Sequence, residues 1–432
     1  MKKKAYLMKP KYSFIILVCC LIQSSLLSGT NLDHFQKLDP SEYDISLLTI
    51  DRGPQFYALG GHSLFRIKEK KKNFPYDIAV NWGVFDFRAP HFLKNAIFGR
   101  LNYQAMAQSM GSILWLYKIE KRNIFENKLF LTPEQKKKLL AATAWWLKPE
   151  NSVYRYNLFF KNCSTIVRDI LKETLGENFK TYFTKQKKES FRKMGSTYFY
   201  QYEFTLLADL FITSTIDTPI TAWEYFILPT DVPHLLKHLG RFNNQGQMEK
   251  EKLLGPTQKI YKGGDYSFLT YNFHSLIVLC FLSTLAGLSF FFAKRKKSFL
   301  KLRVLGISLI LIGLLNTLFS LVMIFLWSFT EYTYTFHNAN LWIFWPLDLI
   351  FVMIGIKIFF FNTPLKPKSV LARLGKNLLL IHLLGLLLQS SLWHLGFIQQ
   401  DVSAFYLYLL APYASFAWLT QKFILNRKDH LI

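Results

Sequence analysis

Cysteine is scarce here: the 432 residues contain four. Cys19 and Cys20 lie in an N-terminal apolar run and Cys280 in a later one, so Cys163 is the lone thiol of the polar middle of the chain. With no partner there, a disulfide-stapled fold is excluded for that part. No set of His, Cys, Asp and Glu has metal-ligand spacing, and no Gly-rich phosphate loop is present, so neither a metal nor any other cofactor is expected. Internal repeats and low-complexity stretches are missing too. Acidic residues are few, 28 against 53 Lys and Arg, which leaves a formal charge of +25. Without a nucleic-acid motif, that charge reads as cytoplasmic loops and anionic lipid contact, and nucleic acid is not an expected partner.

Hydrophobic residues make up 51% of the chain and are unevenly spread. Lys2, Lys3, Lys4, Lys9 and Lys11 precede a short apolar run from Phe14 to Ile22, followed by Ser24, Ser25, Ser28 and Gly29. This is the pattern of a signal peptide or signal anchor over residues 1–29. The residues before Cys20 make a poor lipobox. Five apolar segments, Phe268–Ala293, Val304–Trp327, Leu341–Phe361, Leu378–Phe397 and Phe405–Leu425, are each near the ~20 residues that cross a bilayer as a helix. The loops between them alternate between rich in Lys and Arg (294–303, 366–376) and free of them (328–340, 398–403), and Arg427 and Lys428 close the chain. The positive-inside rule puts the basic loops in the cytoplasm, so the first span enters from the other side. Export segment and charge alternation together place Leu32–Asp265 outside. The expected domains are 1–29, an extracytoplasmic domain over 30–266, and an all-α five-helix transmembrane domain over 267–432. The expected location is the bacterial inner membrane, multi-pass, with the outer domain in the periplasm.

In the outer domain, Tyr43–Asp51, His62–Ile67 and Ile78–Phe87 read as strands rich in β-branched and aromatic residues. Lys68–Asn73 is a basic hairpin tip. His91–Phe98, Pro133–Leu147 and Lys161–Leu175 read as helices; the second opens on Thr132-Pro133-Glu134-Gln135, a capping box with Pro at the first turn, and the third stops at Gly176. Antiparallel strands with separate helices make an α+β domain.

Thiol acyl transfer needs a nucleophile, a base, a group to orient the base, and donors for the oxyanion. Cys163 sits where an aromatic run meets a helix start, in the positive end of the helix dipole. His62, on a strand, suits the base. Asn81, or alternatively Asp86, lies on the next strand and suits the orienting role. Backbone N–H groups of Cys163 and Ser164 suit the oxyanion. Arg168, about one turn beyond Cys163, and Arg66 suit either a lipid phosphate or an ion pair, and Ser164, Arg168 and Arg66 are the expected substrate-binding residues. Asp348 and His382 lie in apolar segments, where ionisable groups are functional candidates by default. Asp348 is expected to make a structural helix–helix contact and His382 an interhelical hydrogen bond.

The order of a histidine on a strand followed by Asn162-Cys163 at a helix start resembles circularly permuted papain-like enzymes such as the lecithin–retinol acyltransferase group. More narrowly, Gly61-His62-Ser63-Leu64-Phe65-Arg66-Ile67, Asn81-Trp82-Gly83-Val84-Phe85-Asp86-Phe87 and Phe159-Phe160-Lys161-Asn162-Cys163-Ser164-Thr165 resemble the Lnb-type apolipoprotein N-acyltransferases. Asp209-Leu210-Phe211, Asp217-Thr218-Pro219 and Trp223-Glu224-Tyr225-Phe226-Ile227-Leu228-Pro229 are similar to the later part of the same domain. The resemblance implies a permuted papain-like thiol domain, Cys163 and His62 as a catalytic pair, a phospholipid acyl donor, and a diacylated lipoprotein as acceptor.

Three function classes follow. The first is a membrane N-acyltransferase working through a Cys163 thioester in two ping-pong steps. The second is a membrane-tethered cysteine hydrolase or amidase acting on cell-wall peptides, for which a single tether would suffice. The third is a scaffold in which Cys163 is structural.

Overall fold

The structure is a computed structural model, and it describes residues 30–70, 76–198, 209–264, 299–361, 365 and 369–400. The expected signal segment, the first and last of the five expected spans, residues 71–73 of the basic tip, and residues 294–298, 366 and 368 of the basic loops lie outside the described residues. The described residues form two compact units. One draws on the chain up to Glu189 and on Pro219–Ser267; the other takes Ser190–Thr218 and the chain from Phe268 onward.

The first unit is mixed α and β. Its seven-stranded antiparallel sheet contains β1 (Tyr43–Ile50), β2 (His62–Glu69), β3 (Asp77–Val84), β4 (Asn102–Ser109), β5 (Ile124–Lys128), β6 (Val153–Arg155) and β7 (Gln258–Tyr261), in the order β7-β5-β1-β2-β3-β4-β6. Period-two alternation sorts its side chains onto two faces. Leu47, Phe65 and Val80 join a core with α4 (Pro133–Leu147) and α5 (Cys163–Leu175). Their neighbours Leu48, Leu64 and Ala79 join a second cluster with Met110, Ile113 and Tyr117 of α3 (Met110–Ile119). The sheet is thus a middle layer. Two shorter helices are α1 (Thr30–Lys37), whose Phe35 joins the core with α4 and α5, and α2 (Phe92–Ile97).

The expected boundaries hold at α4 and move at α5 and β3. α4 runs as read, with both halves of the Thr132/Gln135 capping box formed. α5 starts two residues later than expected, because Asn162 leaves helical geometry and caps the helix, its Oδ1 accepting from the N–H groups of Ser164 and Thr165. β3 ends at Val84 and not at Phe87: the β3–β4 register breaks between Asn81 and Val84, and the chain turns out into α2.

The second unit is helical. α6 (Phe299–Phe329) and α8 (Val370–His394) are each long and apolar enough to cross a membrane. The expected third span is broken: Thr333–Trp342 and Pro346–Phe361 are bent by 46° to one another, and a continuous helix, α7, covers only Leu349–Phe361. Pro346 removes a helical N–H at the break. Gly306 of α6 and Gly355 of α7 allow close backbone approach, since a Cβ on Gly355 would sit 2.5 Å from the Gly306 carbonyl oxygen. His382 of α8 bonds through Nε2 to Asp348 Oδ1 at 2.6 Å, both groups fully buried. The segment Ser190–Thr218, read as part of the outer domain, packs in this unit. Asn338 and Asn340 donate to the carbonyls of Asp209 and Leu210, and Arg192 pairs with Asp209 and Asp217.

Candidate active site

β2 and β3 are paired from Lys68 and Asp77 up to Phe65 and Val80, and the site opens just past that point. His62, the first residue of β2, places Nε2 2.7 Å from Asn81 Oδ1. The Asn81 amide is itself fixed: Oδ1 also accepts from the N–H of Gly83 at 2.9 Å, and Nδ2 donates to Gln108 Oε1 at 2.9 Å. With Oδ1 an acceptor, the proton of a neutral His62 belongs on Nε2. Nδ1 is then the basic nitrogen. Room for the ring comes from Gly83, where a Cβ would stand 2.5 Å from His62 Cε1.

Cys163 is the first residue of α5 and is buried. The backbone N–H groups of Ser63, Ser164 and Cys163 itself are close enough to favour the ionised sulfur. The nearness of the Ser63 N–H puts the thiol at the same strand end as His62. Sulfur and imidazole make no direct hydrogen bond with one another.

One strap fixes both halves. The Ile227 carbonyl accepts from Asn162 Nδ2 at 3.1 Å and from Ser164 Oγ at 2.9 Å, so it grips the residues on either side of Cys163. Two residues on, the Pro229 carbonyl accepts from Ser63 Oγ at 3.2 Å, beside His62. Trp223, at the head of the strap, takes a hydrogen bond from Arg168 Nη1 on its carbonyl and the Arg168 guanidinium on its ring, 4.4 Å from the centroid.

The electrostatics favour a neutral pair. Burial pushes the Cys163 thiol up to about 11, against the pull of these three N–H groups and of Arg122. Burial pushes His62 down to about 4; the Asn81 bond opposes this and the Arg122 charge adds to it. Arg122 itself is buried at the head of β5. Its Nε donates to the Asp51 carbonyl at 2.7 Å and its Nη1 to Glu120 at 2.9 Å, while Nη2 has no partner among the described residues. The site therefore holds a neutral thiol and a neutral imidazole.

Of the six expected site residues, the structure groups Cys163, His62 and Asn81. Asp86 instead bonds the N–H of Arg88 in the turn after β3. The other three expected residues have internal partners. Ser164 is fully buried, its hydroxyl on Asn162 and Ile227 and its N–H on Asn162 Oδ1. Arg168 holds Asp169 and the strap. Arg66 pairs with Asp77 and, at 2.8 Å, with Glu126, a strand residue on the far side of β1. Sequence reading missed Gly83, Gln108, Arg122, Asn162 and the carbonyls of the strap. Asn162 carried the one usable signal, since Asn before a helical run is a preferred cap. Among the described residues no group of three or more His, Cys, Asp or Glu side chains converges as a metal site would.

Residues 31–191 match the family model of the Lnb N-terminal periplasmic domain. The match takes in His62, Asn81, Gly83, Gln108 and Cys163. No curated protein and no solved structure matches the chain. With the apolar helices of the second unit, this makes the chain a membrane protein whose N-terminal part is similar to the Lnb periplasmic domain.

Proposed function

We propose that this protein is a lipoprotein N-acyltransferase that moves a fatty acyl chain from a phospholipid, through a Cys163 thioester, to the α-amino group of a diacylglyceryl-cysteine lipoprotein. The observation that carries the reading is the pairing of a capped helix-start thiol with an oriented imidazole at one strand end, inside a segment similar to the Lnb periplasmic domain. The proposed fold of that domain is permuted papain-like. The proposed membrane part has five spans with the catalytic domain in the periplasm.

In the first step the sulfur attacks the ester carbonyl of the donor while His62 Nδ1 takes the thiol proton. The imidazolium that forms is stabilised through Nε2–H by Asn81 Oδ1. The tetrahedral oxyanion lies at the helix start, where the Cys163 N–H has no intrahelical acceptor. Collapse breaks the ester C–O bond, and the leaving lysophospholipid oxygen takes the proton from His62. In the second step the neutral amine attacks the thioester, His62 accepts its proton, the C–S bond breaks, and the proton returns to sulfur. No external energy source is needed because the donor ester is exchanged for an amide.

A neutral resting pair suits this chemistry. A buried thiol with little standing thiolate is slow to react with stray electrophiles, and its thioester is kept from water by the same burial. Complementation tests the reading. Cells depleted of their own lipoprotein N-acyltransferase and supplied with this chain should recover triacylated lipoprotein N-termini by mass spectrometry. Lipoproteins that stay diacylated while the protein is expressed and folded would refute it, and amino acids released from peptidoglycan in the same preparations would favour the hydrolase class.

A further inference from the structure

Two loops leave the catalytic elements, and both are apolar and exposed. β3 carries Asn81 and Gly83 and then runs into Phe85–Phe87 and α2. There Phe87 is 50% exposed, and Leu93 and Ile97, four apart on one face of α2, are 71% and 46% exposed. The other loop, residues 157–161, ends two residues before Cys163 and presents Leu158 and Phe160, the latter 53% exposed. A chain of rings joins the loops beneath their surface: Phe87 meets Phe85 at 4.7 Å, Phe85 meets Tyr103 at 4.8 Å, and Tyr103 meets Tyr156 at 4.2 Å. The exposed residues are therefore the rim of one supported patch, of the kind that marks an interaction site. From Phe85 to Asn102 the chain carries Arg88, Lys94 and Arg100 against one acidic residue, Asp86, which pairs with Arg88 at 3.5 Å, and from Tyr156 to Lys161 it carries Lys161 and no acidic residue. Apolar side chains in loops with an excess of cations, Lys94, Arg100 and Lys161, on a domain tethered beside a bilayer, match an interface of acyl chains below and anionic headgroups above.

We infer that this rim, with Phe87, Leu93, Ile97, Leu158 and Phe160 at its tips, inserts into the periplasmic leaflet of the membrane and holds the His62–Cys163 site at headgroup level. The insertion does not depend on the acyltransferase reading. Its consequence for that reading is that the donor ester reaches the thiol without leaving the leaflet.

The test uses the full chain in nanodiscs of phosphatidylethanolamine and phosphatidylglycerol. A background with Cys19, Cys20, Cys163 and Cys280 each changed to Ser receives a nitroxide-bearing cysteine at position 93, 160 or 251. Glu251 is the control, its side chain 73% exposed on another part of the unit. At positions 93 and 160, collisions with oxygen should exceed those with a water-soluble nickel chelate; at 251 the order should reverse. In the chain with its native cysteines, a benzophenone side chain at position 93 should form a covalent phospholipid adduct on illumination. Lys94→Glu should reduce the depth at position 93 when phosphatidylglycerol is present. Equal nickel access at all three positions, or no lipid adduct at position 93, overturns the proposal and leaves the rim to a protein partner. Because insertion is read without turnover, an inactive chain still reports it, and failure here is distinguishable from failure of the acyl-transfer reading.

Discussion

Gly83 and the imidazole of His62 occupy adjoining space so closely that a Cβ on Gly83 would stand 2.5 Å from His62 Cε1. The neighbour is ring, not the far end of a flexible chain, and the ring is held by Asn81. Gly83→Ala must therefore move the base. Its effect should fall on acyl transfer, by about 10²-fold or more, the scale of a mispositioned general base. The apparent Tm should move little, because Gly83 lies at the open strand end. Comparison of turnover with a thermal melt checks this, and unchanged turnover would mean that His62 is not the base.

The neutral pair makes a statement about pH. Folding depresses His62 from 6.5 to about 4, so its contribution to stability is fully present above about 6.5 and is lost as pH falls toward 4. Folding raises Cys163 from 9.0 to about 11, so its contribution is present below 9 and is lost as pH rises through 11. The acid limb of kcat/KM for the free enzyme should accordingly lie near 4 and not near 6.5. Alkylation of Cys163 by iodoacetamide, followed on its own peptide by mass spectrometry, should be slow at neutral pH and climb toward pH 11. Removing the Arg122 charge, as in Arg122→Gln, should shift the acid limb upward, since that charge helps hold His62 neutral.

Asn162 has two jobs in one side chain. As cap it accepts from two helix N–H groups, and through Nδ2 it donates to the carbonyls of Leu158 and Ile227. Asn162→Ala removes the cap, worth about 1 kcal/mol, and takes one donor from the Leu158 carbonyl and one of two from the Ile227 carbonyl, at about 1 kcal/mol more. A lowered Tm and lost turnover should appear together. Asn162→Asp, which keeps the acceptor and loses the donor, should fall between.

Arg66 is expected to matter for stability and not for the donor lipid. Its guanidinium bridges Asp77 and Glu126 within the sheet. Arg66→Met should destabilise the fold by on the order of 1–3 kcal/mol, seen as a lower Tm, while headgroup preference in mixed-lipid assays stays as it was. A change in headgroup preference at constant Tm would return Arg66 to the substrate site.

Much of this was legible in residue order. The capping box at Thr132 and Gln135 marked α4 from start to end, because both halves of a local motif lie within four residues. The His62–Asn81 and Cys163 elements were readable for the same reason, each being local chemistry on a recognisable strand or helix start. Arg66 was not readable: its second carboxylate comes from β5, across β1, and only the sheet order brings them together. Ser164 likewise looks available beside a nucleophile until the Ile227 carbonyl, 63 residues away, closes over it. Phe85–Phe87 read as more strand because aromatic residues favour sheets; past the register break Phe87 is exposed on a half-buried Phe85, so the segment serves a surface instead.

The central claim is that Cys163 carries the acyl chain. Purified full-length protein incubated with phospholipid, without lipoprotein acceptor, should gain one acyl mass on the peptide containing Cys163. The adduct should be released by hydroxylamine, lost on addition of a diacylated lipopeptide with a free α-amino group, and missing from Cys163→Ser. A folded native chain that never acquires that mass, or a Cys163→Ser chain that still acylates the lipopeptide, would contradict the account.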